Sequence, residues 1–118
     1  MVKRTNYVPE RGDVIWMNLY PSLGHEQKGR RPSLVISPKF YHQKSGLVLI
    51  CPITSKAKGY GFEVSLQTEK VKGVVLTDQL RTVDMRVRKM KFMDRTPPAT
   101  MELVTHIIVE LVRGEKLI

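Results

Sequence analysis

An apolar run bounded by prolines occupies residues 32–38 and reads Pro32-Ser33-Leu34-Val35-Ile36-Ser37-Pro38. Leucine and β-branched residues in succession are typical of a strand that packs in a sheet. The flanking prolines fit this interpretation, because proline interrupts a strand's hydrogen-bond ladder. The run therefore predicts a buried strand over 33–37.

Other short apolar segments recur on both sides of this run. Single prolines and glycines separate them, and the sequence contains neither an internal repeat nor a Ser/Gly-rich linker. Evenly spaced short strands indicate a compact barrel or sandwich. The further predicted strands are Gly12 to Leu19, Leu47 to Ile53, Phe62 to Leu66, Gly73 to Leu80 and Arg81 to Met85.

The C-terminal segment has a different periodicity. Apolar residues recur at three and four positions from Met101 to Val112, which is the spacing of one helical face. Thr96-Pro97-Pro98 fits a helix start, since proline is tolerated in the first turn, and Gly114 fits a helix end. The sequence thus predicts five or six strands and one terminal helix.

Length and composition limit the class of protein. A chain of 118 residues with 42% hydrophobic content is expected to form one domain spanning 1–118. No stretch approaches the roughly 20 apolar residues of a membrane-spanning helix, and the N-terminus lacks the apolar core of a signal peptide. We therefore expect a cytoplasmic protein with no membrane partner.

One cysteine and two histidines are expected to be structural. Cys51 is the single cysteine and lies in an apolar run, which predicts a buried thiol and excludes an internal disulfide or a multi-thiolate zinc site. His42 and His106 have no metal-ligand partners at suitable spacing, so each is expected on the surface or hydrogen-bonded in the core.

The chain carries a strong positive charge. Twenty Lys and Arg residues oppose 11 Asp and Glu residues, for a formal net charge of +9. Such an excess attracts polyanions, including nucleic acid, but a solvated basic surface has the same composition. Charge alone therefore leaves the polyanion unidentified.

Chemically active side chains are concentrated between residues 24 and 32, which read GHEQKGRRP. Metal-independent cleavage of RNA needs a base for the 2′-OH proton, a cation for the phosphorane charge and a proton donor for the leaving 5′-oxygen. The segment offers all three types. The alternative is a solvated turn with no specific chemistry.

Four sequence blocks resemble the MazF/PemK/Kid family of toxin endoribonucleases. They follow in the family's order and cover most of residues 7 to 86. The blocks are GHEQKGRRPSLVIS at 24–37, ERGDVIW at 10–16, PITSKAKGYGFEV at 52–64 and GVVLTDQLRTVDMR at 73–86.

This resemblance implies a fold, an assembly and an activity. The fold is an SH3-like β-barrel shared with CcdB toxins, and the assembly is a two-fold homodimer. The activity is cleavage of single-stranded RNA without a metal or other cofactor, leaving a 2′,3′-cyclic phosphate and a 5′-hydroxyl. The resemblance also implies an antitoxin whose acidic tail would occupy the basic grooves.

Five positions match catalytic residues of the family. Glu26 and Arg31 stand at the acidic and basic positions of the GxEQxGxRP motif, and Thr54 at the threonine of the block that starts at Pro52. His25 and Asp78 match positions used by the Kid-like branch. That branch has a catalytic arginine where this chain has Leu76, so the Kid scheme does not transfer whole.

These matches suggest a separate role for each residue in the reaction. Glu26, or alternatively Asp78, would accept the 2′-OH proton, while Arg31 and Thr54 would hold the scissile phosphate. A guanidinium stays protonated at working pH, so His25 is the better donor to the leaving oxygen.

Basic and polar residues near these positions are expected to bind the RNA. Tyr60 or Phe40 could stack on a base, although barrel packing is the favoured role of both aromatics. The predicted RNA-binding residues are Lys28, Arg30, Ser55, Lys56, Lys58, Tyr60, Gln79 and Arg86.

Two other functions are compatible with the same fold. A CcdB-like protein would poison DNA gyrase by binding it, without hydrolysis. A non-catalytic barrel would bind RNA and leave it intact.

Overall fold

The computed structural model describes residues 7–18 and 30–114, with the backbone alone at residues 18 and 30. Within these ranges the chain forms a mostly β body with a C-terminal helix, as the sequence predicts. The elements are β1 (Asp13–Asn18), β2 (Arg30–Val35), α1 (Lys39–Ser45), β3 (Leu47–Thr54), β4 (Glu63–Gln67), β5 (Lys72–Leu76), a 3₁₀ turn (Thr77–Gln79), β6 (Arg81–Asp84), β7 (Met90–Arg95) and α2 (Pro98–Arg113).

β3 connects the β4-β5 hairpin to the strands β2, β1 and β7. The hydrogen-bonded order is β4-β5-β3-β2-β1-β7, and β6 also pairs with β3. Residues Leu47 to Ile50 of β3 pair with β6, whereas Ile53 and Thr54 pair with β5. The C-terminal end of β3 therefore lies where the two parts of the sheet meet.

The sheet curls so that its two ends approach each other. In the turn between β4 and β5, the Lys70 backbone N–H donates to Asp94 Oδ2 on β7 at 3.3 Å. Hydrogen bonds from Thr68 and from backbone N–H groups hold the pKa of the Asp94 carboxyl below its usual range. Since β4-β5 and β7 stand at opposite ends of the strand order, this hydrogen bond joins the two ends of the curled sheet.

Strand alternation separates the buried side chains into two clusters. The first contains Val14, Leu34 and Cys51, together with the buried face of α2. Their neighbours in sequence, Ile15 and Val35, point the other way into a second cluster. Strands buried on both faces have continuous apolar runs, which explains the succession Leu34-Val35 at the end of β2. The bounds predicted for this strand, 33–37, were wrong, because β2 covers Arg30–Val35 and includes Pro32, which pairs with Trp16 of β1.

α2 begins and ends where the sequence predicts. Pro98 occupies its first turn, and Gly114 ends it in a left-handed conformation (φ 79°) with its N–H bonded to the Glu110 carbonyl at 2.9 Å. Met101, Val104 and Ile107 are buried against the sheet. No helix in the described part of the chain is long and apolar enough to cross a membrane.

Two elements were missed because tertiary contacts stabilise them. α1 has seven residues, too few for an apolar periodicity, and only His42 is buried. β7 carries the charged sequence MKFMDR and pairs with β1 at an edge of the sheet. The expected count of five or six strands was therefore too low for residues 7–18 and 30–114, where the structure has seven.

The strand predicted from Gly73 to Leu80 was too long. β5 ends at Leu76, and the chain turns through Thr77 to Gln79 instead. Thr77 is buried, and its hydroxyl donates to the Phe62 carbonyl at 2.5 Å. This side-chain bond fixes the turn, which strand propensity alone does not indicate.

Candidate functional site

Arg31 and Thr54 lie at the same end of two neighbouring strands. β2 and β3 pair antiparallel, and the last pair toward this end is Ser33 with Pro52. Arg31 and Thr54 each lie two residues beyond that pair, so strand alternation puts both side chains on the same face. Arg31 is exposed and Thr54 half-buried. A guanidinium and a hydroxyl thus share one accessible corner of the sheet.

The position of Thr54 depends on a close approach of β5. Thr54 pairs with Val74, and a Cβ added to the adjacent Gly73 would lie 2.4 Å from the Thr54 carbonyl oxygen. Only glycine allows this spacing. The Thr54 hydroxyl accepts a hydrogen bond from the Lys56 backbone N–H at 3.2 Å, so it retains a proton that can be donated to a phosphate oxygen.

An exposed basic loop, residues 55–61, follows Thr54 directly. The sequence predicts RNA contacts here at Ser55, Lys56, Lys58 and Tyr60, and all four residues are exposed. The loop is held by Glu63 on β4, whose carboxylate accepts hydrogen bonds from the backbone N–H groups of Lys58 and Gly59 at 2.9–3.2 Å.

Sequence reasoning missed Glu63. Glu63 lies in the alternating segment that predicted β4. The one signal of its role was its position four residues after Gly59, since carboxylates commonly accept hydrogen bonds from N–H groups of a nearby turn.

The expected barrel packing of two aromatic side chains was wrong. Phe40 is 69% exposed on α1 and Tyr60 is 54% exposed in the basic loop. The Tyr60 ring stacks on half-buried Phe62 with a centroid separation of 5.2 Å. Tyr60 therefore has an exposed ring in the basic loop that follows Thr54, whereas Phe40 lies on α1.

The 3₁₀ turn carries Asp78 and Gln79, both exposed. The turn packs on β3, where the Thr77 carbonyl lies 4.0 Å from Cys51 Sγ. Burial, assisted by the negative charge of Asp78, raises the pKa of Cys51 to about 12, so this thiol is a buried apolar group, as predicted. Asp78 therefore follows a residue that contacts β3 at Cys51, and Cys51 precedes Thr54 by three residues on that strand.

Arg86 lies far from this corner. It follows β6, whose Asp84 pairs with Leu47 at the start of β3, about 23 Å from Thr54 along the strand. Both carboxylate oxygens of Asp84 bond the Arg86 guanidinium at 2.9 Å, which holds the pKa of Asp84 below its usual range. The predicted contact of Arg86 with RNA would therefore be separate from the Arg31–Thr54 corner.

Three of the predicted residues, His25, Glu26 and Lys28, lie outside the described residues. Arg30 is the first residue of β2, where its backbone pairs with Asn18 of β1.

The two other histidines agree with their expected structural roles. His106 is exposed, and His42 is buried and hydrogen-bonded. The described part of the chain contains no group of three His, Cys, Asp or Glu residues arranged to hold a metal ion.

The sequence matches a known family over most of its length. Residues 10–112 match the family described as PemK-like, MazF-like toxin of type II toxin-antitoxin system. The chain is 40% identical over 104 residues to the endoribonuclease toxin MazF of Escherichia coli strain K12, covering 88% of this chain and 92% of that protein.

Solved structures give the same result. MazF of Deinococcus radiodurans is 42% identical and superposes with a TM-score of 0.79, covering 93% of this chain and all of that one. The MazE-MazF complex from the same organism contains a chain that is 39% identical, again with a TM-score of 0.79. The barrel type expected from sequence is thus that of the structural neighbours.

Proposed function

The chain belongs to the PemK-like, MazF-like toxins of type II toxin-antitoxin systems, and we propose that it is an endoribonuclease that cleaves single-stranded messenger RNA and so stops translation and growth. The supporting observation is the 40% identity, over nearly the full length of both chains, to a protein named endoribonuclease toxin MazF. Proteins that share this much sequence over a whole domain share its fold and commonly its chemistry.

In the proposed reaction the 2′-hydroxyl oxygen attacks the adjacent phosphorus and the 5′-oxygen leaves. A base takes the 2′-OH proton and an acid gives a proton to the leaving oxygen, so the products are a 2′,3′-cyclic phosphate and a 5′-hydroxyl. Glu26 is the proposed base, with Asp78 as the alternative, and His25 is the proposed acid. No metal or other cofactor takes part.

Arg31 and Thr54 would stabilise the negative charge that develops on the phosphate. They share one corner and one face of the sheet, with Arg31 exposed to solvent. A guanidinium can donate two parallel hydrogen bonds to phosphate oxygens, and the Thr54 hydroxyl can donate a third. Preorganised donors at a developing charge typically contribute a factor of about 10²–10³ each to the rate.

The RNA backbone would follow the basic residues around this corner. Lys56 and Lys58 extend from Thr54 in the exposed basic loop, and the exposed Tyr60 ring could stack on a base. Lys28, Arg30, Ser55 and Gln79 are the further proposed RNA contacts, and Arg86 would contact a more distant nucleotide.

We also propose the family's assembly and regulation for this chain. It would work as a homodimer in the cytoplasm and be inhibited by an acidic, MazE-like antitoxin. The formal charge of +9 supports binding of an acidic segment, and a structural neighbour is a MazE-MazF complex. A stoichiometric acidic antitoxin should then slow RNA cleavage by occupying the cations that bind RNA.

One experiment separates this function from its rivals. Purified protein is incubated with a chelator and a long fluorescent RNA, and the ends of any fragments are mapped. The proposal expects discrete cuts with cyclic phosphate and 5′-hydroxyl ends. Intact RNA that stays bound would instead indicate a non-catalytic RNA-binding barrel, and gyrase inhibition without cleavage would indicate a CcdB-like poison, which the endoribonuclease names of the relatives do not favour.

A further inference from the structure

The Glu63 carboxylate lies against the backbone of the basic loop rather than against its lysine side chains. Oε1 accepts from the Gly59 N–H at 2.9 Å, and the Lys58 N–H bonds both carboxylate oxygens at 3.0 and 3.2 Å. Charge-assisted bonds of this kind are stronger than neutral ones. Glu63 itself is fixed in β4, where it pairs with Leu76 of β5.

The other hydrogen bonds between the loop and residues 7–18 and 30–114 act on the two ends of the loop. The Thr54 hydroxyl accepts from the Lys56 N–H at 3.2 Å, and the Tyr60 carbonyl accepts from the Glu63 N–H at 3.1 Å. Among the residues that the structure describes, Glu63 is thus the side chain that holds the middle of the loop. At that point Gly59 has a φ of 84°, a conformation that the carboxylate can stabilise by accepting its N–H.

From this arrangement we infer that Glu63 is a positioning residue that presents Lys56 and Lys58 to RNA, an inference that rests on the proposed function. Both lysines are exposed to solvent, where phosphates can reach them, and neither ammonium forms an ion pair within residues 7–18 and 30–114. A carboxylate next to a polyanion site would otherwise weaken binding by repulsion. Its engagement with backbone N–H groups accounts for an acid at this position.

Two substitutions at Glu63 separate loss of the charge from loss of the hydrogen-bond acceptor, and Glu63→Ala gives opposite results under positioning and under simple repulsion. In Glu63→Gln the amide oxygen still accepts from the loop while the negative charge is gone, so KM for RNA should equal or fall below that of the wild type. In Glu63→Ala the loop loses its acceptor, so KM should rise about three- to tenfold with kcat within about twofold. If repulsion alone mattered, both variants would lower KM.

The matched control is Glu69→Ala, which removes an exposed carboxylate from the turn between β4 and β5. It should leave KM unchanged or slightly lower. A structural readout comes from trypsin, which cuts after Lys56 and Lys58. Cleavage there should be several-fold faster in Glu63→Ala than in the wild type or Glu63→Gln, at equal thermal stability.

Binding is measured separately with a single-stranded oligodeoxynucleotide, which lacks the 2′-hydroxyl and cannot be cleaved. If wild-type protein leaves RNA intact, the proposed function fails, and the oligonucleotide Kd of the two Glu63 variants decides this inference independently. The inference is overturned if Glu63→Ala binds as tightly as Glu69→Ala, or if its loop resists trypsin like the wild type.

Discussion

His42 Nδ1 lies 2.7 Å from the carbonyl oxygen of Pro9, and the ring is fully buried. Because a carbonyl only accepts, Nδ1 carries the proton, and Nε2 accepts from the Ser37 hydroxyl at 2.6 Å. Ser37 Oγ in turn accepts from the Leu49 N–H at 2.8 Å. The neutral ring is therefore satisfied at both nitrogens and joins α1 to the N-terminal segment and β3.

This arrangement predicts acid sensitivity of the fold. Burial lowers the pKa of His42 below its ordinary value of 6.5, so the unfolded chain binds the proton more readily than the folded one. The stabilisation is complete above pH 6.5 and is lost as the pH falls through the folded-state pKa. Thermal unfolding from pH 8 to 5 should show the decline, and His42→Gln should flatten it. The exposed-residue control His106→Gln should keep the wild-type profile, and an unchanged slope in His42→Gln would refute the assignment.

Gly73→Ala should disturb the corner at Thr54. The added Cβ would overlap the Thr54 carbonyl oxygen, so β5 must shift, at a cost of about 1–3 kcal/mol in the free energy of unfolding. Urea unfolding measures the loss, and RNA cleavage should fall with it. Gly61→Ala is the matched control, because a Cβ there meets no described atom within 4 Å. Equal stability of the two variants would contradict the proposed close approach.

Arg31→Ala should remove most of the activity without unfolding the protein. The side chain is exposed, so circular dichroism and the midpoint of thermal unfolding should be unchanged, while kcat falls by about 10²–10³. Arg31→Lys should recover little, because an ammonium cannot make the paired bonds of a guanidinium. The control is Arg113→Ala at the exposed end of α2. Near-normal cleavage by Arg31→Ala would exclude the phosphate role.

The salt dependence of binding should distinguish the basic loop from Arg86. Replacing Lys56 and Lys58 with Ala removes two phosphate contacts, so the slope of log Kobs against log salt for a single-stranded oligonucleotide should become shallower by about 1.4. Arg86→Ala should change the slope for a short oligonucleotide much less, because Arg86 lies at the other end of β3. Equal slopes for wild type and the double variant would show that Lys56 and Lys58 do not contact the phosphates.

Local patterns in the sequence predicted the elements that are defined by their own residues. The apolar succession Leu34-Val35 at the end of β2 follows from burial on both faces of the sheet, and the helical periodicity of α2 follows from packing one face on the sheet. Pro97 before α2, Pro98 in its first turn and Gly114 after it set the bounds of the helix through backbone geometry. The family resemblance added the residues of the site, of which Arg31 and Thr54 lie at one corner of the sheet.

The sequence by itself determined a mostly β chain with a C-terminal helix, the family and the residue types of the site, because these depend on local periodicity and on motifs read in order. Only the tertiary structure decided that Glu63 holds the basic loop, that Arg86 is paired with Asp84 at the far end of β3 and that α1 forms around His42. These features depend on contacts between segments brought together by strand register, and no single segment's composition specifies that register.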